Sequence, residues 1–420
     1  MTPTPRAAAV LAALALAAFL VPLPLVALAA VALLAAVAAD ARAARRVPAV
    51  GRELPAVLAR GVPVPLRATA EAAPSVRVRL RQAVPPGMAL EPAEADGALD
   101  ACLVPRLRGR HELPALGTRS TGPLGLASWY HRPGEPHAVS VYPDLLAARR
   151  LALSVRHGRF RDQGITARGP LGLGTEFELV RDYLPDDDVR QVNWRATARM
   201  GRPMSNQYRT EQDRDVIAVV DAGRLSAAPL PAAGGERPTV LDACLDALTA
   251  LALVADEAGD RFGAIAFDDE VRFAARPGRA RGAAVVRSLF DLQATPVESD
   301  YEAAFRRVEG AKRAFVLVLC DLLEESAARP LVEAVPVLAR RHPVVVASPS
   351  DPGLAALAAT APRTAGELAR AAVAVEVRAA RARAAALVRG AGAQVLEAPA
   401  SRLPSACVAA YLRAKQRARL

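Results

Sequence analysis

The period of the hydrophobic positions changes along this chain, and each change marks a different kind of element. From Ala7 to Ala39 no side chain is charged or hydrogen-bonding, a pattern that belongs in a bilayer. One helix over that run would be about 50 Å long against a ~30 Å hydrocarbon core. Pro22 and Pro24 also break it near its centre. A transmembrane helical hairpin over residues 1–40 is therefore expected, with two spans so short, about fifteen residues each, that local thinning or a re-entrant path must accompany them. Arg6 precedes the run and Arg42, Arg45, Arg46 and Arg52 follow it, so both flanks and the soluble domains are expected in the cytoplasm. The alternative is a long signal peptide, although the run exceeds twice a typical signal core.

From residue 51 to 143 the period drops to two. Val76, Val78 and Leu80 alternate with Arg77, Arg79 and Arg81, which gives a strand one apolar and one charged face. Frequent Pro and Gly, as in Pro85-Pro86-Gly87 and Gly122-Pro123, keep the strands short and predict a small β-sandwich. Residues 144–214 hold a linking helix near Pro143 to Arg156 and then the densest charged and aromatic tract in the chain, Arg181 to Arg199. Within it Arg181, Tyr183, Asp187, Asp188, Arg190, Trp194 and Arg199 are candidate interaction residues, either as a brace beside the sheet or as a docking surface.

Residues 215–420 alternate apolar strands with amphipathic helices. The run Asp215 to Asp221 is continuously apolar between its two carboxylates, as a strand covered on both faces requires. Strands Phe262 to Phe267, Phe315 to Leu319, Val344 to Val346 and Gln394 to Leu396 follow, separated by helices, which predicts a doubly wound, mainly parallel α/β sheet. In such sheets ligands meet the carboxyl ends of the strands, where Asp221 and Asp321 fall.

Composition narrows the function. The net charge is +11, yet the only lysines are Lys312 and Lys415 and the arginines are spread over an aromatic-poor chain, so nucleic-acid binding is not expected. Cys102, Cys244, Cys320 and Cys407 lack zinc-site spacing and read as reduced, buried thiols. The glycines between Arg168 and Phe177 lack the Gly-Lys-Ser/Thr of a phosphate loop. His111, His131 and His137 share no ligand spacing, and His157 and His342 stand apart from any nucleophile, so no enzyme is expected.

The tract Gly174 to Arg199, with Arg108-Gly109-Arg110-His111, Arg119 to Leu126 and the closing Tyr411-Leu412-Arg413-Ala414-Lys415, resembles the bacterial domain of unknown function 58 family. The resemblance implies a membrane hairpin, a β-sandwich and a von Willebrand factor A-like domain in that order, associated with a MoxR-type AAA+ ATPase. Asp186 departs from the pattern, replacing a glycine before the Asp187-Asp188 pair. The resemblance also implies a cation site at Asp221, Thr239 and Asp321. That site is degenerate: Gly223 and Leu225 replace two hydroxyl ligands and Arg224 adds a positive charge. Magnesium needs about six oxygens, so the expectation is no cofactor, with the Arg224 guanidinium neutralising the carboxylates and magnesium at a weakened site as the alternative. The function expected is a membrane-anchored interaction or scaffold protein, an adaptor for the ATPase. The alternative is a metal-dependent adhesion or sensor module outside the membrane.

Overall fold

A computed structural model describes residues 2–157, 160–162, 165–166, 176–184, 189, 192–209, 214–231, 238–309, 313–323 and 325–416. The chain forms two compact units, Met1–Tyr142 and Pro143–Leu420.

In the first unit the apolar stretch makes two helices, Pro5–Ala17 and Leu23–Ala44. Thr4 caps the first, its side chain accepting the Ala7 N–H, and Pro22 stands at the N-cap of the second. Proline is tolerated there because the first turn has no intrahelical acceptors for its N–H groups. The division is unequal, 13 and 22 residues, rather than two halves of about fifteen. Leu23–Ala44 is long and apolar enough to cross a bilayer, and almost none of its apolar window is buried by protein. The shorter helix rises about 20 Å. Leu11, Leu16, Phe19, Leu28, Val31 and Leu34 are all exposed, which leaves a large apolar surface on these helices uncovered by protein.

The rest of this unit is β structure. One sheet runs Thr2–Pro3, Ala127–His131, Gly117–Thr121, Arg77–Arg81 and Glu94–Asp96; a second runs Ala49–Glu53, Val64–Glu71, Ala98–Pro105 and Met88–Glu91; a third runs Val57–Ala59, His137–Tyr142 and Gly109–Leu113. The period-two pattern does what it predicts: Val78 and Leu80 are buried while Arg77, Arg79 and Arg81 are exposed. Leu66, Leu80, Leu99, Leu103, Leu113 and Val141 form the core. The short strand Thr2–Pro3 pairs with Ala127 and Ser128, so the chain is tied to the sheet before its first apolar helix begins.

In the second unit six strands form one sheet: β1 (Asp215–Asp221), β2 (Arg261–Phe267), β3 (Val271–Arg279), β4 (Ala314–Leu319), β5 (Val344–Ser350) and β6 (Gln394–Pro399). Their order is β3-β2-β1-β4-β5-β6. All neighbours are parallel except β3, which pairs antiparallel with β2. The sequence pattern missed β3 because it is an edge strand whose charged and apolar residues alternate half-exposed. Helices cover both faces. Ile217, Val219, Val316 and Val318 pack with Tyr301, Phe305, Leu331 and Ala384 on one side, and Phe315 meets Tyr411 edge-on on the other. Leu145–Arg156, expected as a linker, lies against Val240–Glu257 in this unit, where the Asp144 N–H donates to Asp246 Oδ1 at 3.1 Å.

The C-terminal helix Leu403–Gln416 is held by a buried charge. Lys415 Nζ donates to Asp260 Oδ2 at 2.7 Å, the Tyr411 hydroxyl donates to the same oxygen, and the Arg214 N–H donates to Oδ1 at 3.2 Å. The closing motif is thus a structural tether that fixes the last helix to the start of β2.

Candidate functional site

β1, β2 and β4 bring three carboxylates to one edge of the sheet. Asp221 ends β1, Asp268 follows β2, and Asp321 lies two residues beyond β4; they are 3%, 0% and 7% exposed. Buried carboxylates need proton donors or counter-charge, and each one here has its own set.

Asp221 Oδ1 accepts from the Gly223 N–H at 2.8 Å and the Ser299 hydroxyl at 2.5 Å, and Oδ2 accepts from the Tyr301 hydroxyl at 2.6 Å. Burial raises its pKa, these three donors pull it down, and the charge of nearby Asp268 pushes it up again; the net direction is upward. Burial, then the Asp221 charge, pushes the Tyr301 phenol well above its ordinary value. The donors arrive on the segment Gln293–Tyr301, which closes over the end of β1. Thr295 N–H reaches the Ala222 carbonyl at 2.8 Å, and the Val297 carbonyl accepts the Arg224 N–H at 2.9 Å.

Asp268 accepts Arg272 Nε at 2.7 Å, the Thr295 hydroxyl at 2.8 Å and the Glu270 N–H at 3.1 Å. Burial raises its pKa, but these donors outweigh it and leave the carboxyl below its ordinary value. Asp321 Oδ1 accepts Arg381 Nη1 at 2.8 Å, and Arg381 Nη2 also reaches the Ser348 hydroxyl at 2.9 Å and the Pro349 carbonyl at 2.7 Å. Burial pushes the Asp321 carboxyl up and Arg381 only partly reverses this.

Asp221 and Asp321 do converge on one edge, as their strand-end positions imply, and they feel each other's charge. Thr239 caps the helix Val240–Glu257, and its hydroxyl is engaged with Asp242 in a capping box. Arg224 does not neutralise the carboxylates. Its side chain is half-exposed and its Nε donates to Glu298, because the loop after β1 turns outward once its backbone bonds to Val297. Arg381 supplies the counter-charge to Asp321 and Arg272 to Asp268, whereas Asp221 is held by hydrogen-bond donors alone. Ser226 is buried, with its hydroxyl on the Asp221 carbonyl at 2.7 Å. Among the described residues no group of three or more His, Cys, Asp or Glu side chains is placed to hold a metal ion.

Sequence reasoning missed Asp268, Ser299, Tyr301 and Arg381. Asp268 carried a signal, since it follows a predicted strand as Asp221 does. Arg381 carried none: it is one of several arginines on the long helix Ala365–Gly390, and only the packing selects it.

Of the signature tract, Arg181, Tyr183, Trp194 and Arg199 are described, whereas Asp187, Asp188, Arg190 and the glycine-rich residues 167–175 lie outside the described residues. Strands Glu176–Asp182 and Met204–Arg209 pair antiparallel around the short helix Trp194–Met200. Asn193 caps that helix through the Ala196 N–H at 3.0 Å, and Gly201, at φ 66, ends it. Arg202 pairs with Asp182 at 3.1 Å between exposed side chains. Trp194 is not the buried brace that its size suggests: it is 70% exposed.

The family described as "Protein of unknown function DUF58" matches residues 179–391, just over half of the chain. Uncharacterized proteins of Mycobacterium bovis and of two strains of Mycobacterium tuberculosis are each 29% identical over 223 residues, covering 50% of this chain and 66% of theirs. A crystal structure of an uncharacterized membrane-spanning protein from Vibrio fischeri aligns over 49% of this chain and 98% of that one, at 13% identity and a TM-score of 0.18.

Proposed function

We propose that this chain, which belongs to the DUF58 family, is a membrane-anchored interaction protein in which a von Willebrand factor A-like unit serves as adaptor for a MoxR-type AAA+ ATPase in assembly or maturation of other proteins. Both flanks of its membrane hairpin, and so both soluble units, are on the cytoplasmic side in this reading.

The observation that carries the reading is the exposure of large apolar side chains along the signature tract. Leu184, Val189, Trp194 and Met200 are 54%, 67%, 70% and 56% exposed within seventeen residues of sequence, beside the exposed arginines 195 and 199. Large apolar side chains gathered this way mark contact surfaces, and Trp and Arg are the residues that dominate binding energy at them. The sheet edge supports a docking role, because its carboxylates are buried and engaged by Ser299, Tyr301, Arg272 and Arg381.

The test is a titration of the detergent-solubilised full-length protein with a purified MoxR-type ATPase from the same cell, with and without ATP. A saturable complex is expected, weakened at least tenfold by Trp194→Ala with no change in melting temperature, because the side chain is mostly in solvent. Absence of a complex in every nucleotide state, or wild-type affinity for Trp194→Ala, would overturn it.

A further inference from the structure

We propose that the first unit holds the phosphate of an anionic phospholipid headgroup in an arginine-lined cleft at the base of its apolar helices. This goes beyond the ATPase reading and does not depend on it.

The cleft is built by two elements with different sequence logic. Arg77 and Arg79 form the outward face of their alternating strand, and register sets Arg119 directly opposite Arg79 and Thr121 opposite Arg77. Arg6 enters from the first turn of the helix Pro5–Ala17. A Cβ on Gly125 would lie 3.1 Å from Arg6 Nη1 and 3.1 Å from Arg77 Nη2, so two guanidinium groups from different elements meet over one glycine. The cleft has a volume of about 750 Å³ and is lined by Thr4, Arg6, Arg77, Arg79, Arg119 and Thr121.

Its charge is not balanced from within. Asp96 is taken by Arg79, which donates Nε to Oδ1 at 2.8 Å and Nη2 to Oδ2 at 3.3 Å and also reaches Glu94 at 3.5 Å. Arg6, Arg77 and Arg119 form no ion pair among the described residues, although the Asp96 charge is felt by Arg77 and Arg119. Arg119 Nε is buried with no hydrogen-bond partner. Like charges facing one another on a sheet are unfavourable, and an N–H buried without a partner adds to the cost. A phosphodiester removes both penalties, because its oxygens accept the forked N–H groups of several arginines.

Position identifies the source of that phosphate. Thr4 donates its hydroxyl to the Gly125 carbonyl at 2.6 Å, and Asp40 accepts from Leu124, Leu126 and Ala127. Both ends of the apolar stretch are thereby fixed to the loop that floors the cleft, which puts it at headgroup level. Trp129, with Arg45 Cζ 5.7 Å from its ring centre, lies on the same sheet as an interfacial tryptophan would. Pro5, Ala73, Pro74 and Val76 give the cleft an apolar wall for the glycerol and upper acyl carbons.

The experiment uses the full-length protein in neutral detergent, exposed to phosphatidylglycerol, phosphatidylcholine or inorganic phosphate, with bound lipid read by native mass spectrometry and stability by melting temperature. Phosphatidylglycerol is expected to be retained and to raise the melting temperature. Phosphatidylcholine has the same phosphodiester but brings a choline cation into a cleft of unbalanced positive charge, and should be retained at least tenfold more weakly. Arg77→Gln and Arg119→Gln should each weaken retention at least tenfold. Arg67→Gln should not, since that exposed arginine pairs with Asp100 at 3.3 Å on another sheet. Should Arg77→Gln lower the melting temperature without lipid, Arg119→Gln decides alone. Unchanged retention by the deciding variant overturns the proposal. So does an equal shift from millimolar inorganic phosphate, which would make the cleft a general anion site.

Discussion

Asp40 and Gly122 occupy a single place in the fold: a Cβ on residue 122 would collide with Asp40 Oδ1 and lie 2.5 Å from the Asp40 carbonyl oxygen. With no side chain in the way, the carboxylate at the end of the apolar stretch accepts three backbone N–H groups, from Leu124, Leu126 and Ala127, at 2.7, 2.7 and 2.8 Å. Hydrogen bonds to a charged acceptor contribute about 1.5–3 kcal/mol each, and three on one buried group do not add fully. Asp40→Ala should therefore cost roughly 3 kcal/mol or more, and Gly122→Ala a comparable amount through the clash. The double variant should be somewhat less unstable than the sum, because removing the carboxylate relieves the side-chain part of the clash and leaves the contact with the Asp40 carbonyl oxygen. Thermal unfolding of the full-length protein in detergent reads all three. Strict additivity would mean that the two residues do not meet.

The Lys415 and Asp260 pair gives a second test. Both are buried, and the carboxylate also holds Tyr411. Removing one partner strands the other charge, which typically costs about 3–5 kcal/mol. Lys415→Met should lower the denaturant midpoint sharply, and Asp260→Asn combined with Lys415→Met should recover part of the loss. A midpoint that Lys415→Met leaves in place would show that the last helix is held by its apolar face alone.

These two contacts also show where the sequence was legible. Runs with a clear period, such as Val76 to Arg81 or Asp215 to Asp221, report their own burial because every residue in them obeys one local rule. The break at Pro22 and Pro24 is readable for the same reason. Asp40 and Gly122 are 82 positions apart in the numbering, and Asp321 and Arg381 are 60 apart, so nothing local announces either pair. Nearness in sequence to Asp221 points to Arg224, yet direction decides such contacts, and the loop sends that side chain to Glu298. Size points to a buried Trp194, whereas exposure depends on what lies across from it.

Stability should depend on pH through the buried edge carboxylates. Asp221 has a folded-state pKa raised above 3.8 by burial, so the unfolded chain ionises first as pH rises. Its contribution is then fully present below that ordinary value and is lost as pH climbs through the folded value. Asp268, whose folded pKa is lowered, acts in the opposite sense and in the window below 3.8, so the two are separable. Asp221→Asn should flatten the decline above pH 3.8 and leave the loss on acidification in place. Unfolding free energies of both proteins across pH 3–8, taken by denaturant titration, check this. A tenfold difference in proton affinity between the folded and unfolded chain corresponds to about 1.4 kcal/mol. Parallel curves for the two proteins would show that Asp221 titrates alike folded and unfolded.

The end of β1 should resist rebuilding as a cation site. Replacing Gly223 by serine adds one of the hydroxyls that the resemblance implies, but the position is filled. A Cβ there would collide with Ser299 Oγ and lie 2.9 Å from the Val297 carbonyl, and Ser299 is itself donating to Asp221. A clash with a backbone carbonyl cannot be relieved by turning a side chain, so Gly223→Ser should destabilise the second unit rather than create a ligand. Magnesium has the same difficulty, since Asp221 would have to give up Ser299 and Tyr301 and Asp321 would have to give up Arg381 to bind it. Titrating magnesium against the melting temperature should give no saturable rise for the wild-type protein, and none for Gly223→Ser combined with Leu225→Ser. A rise of several degrees in either, abolished by Asp221→Ala, would show that the segment Gln293–Tyr301 lifts away from the end of β1 and that the hydroxyl donors stand in for an ion they can yield to.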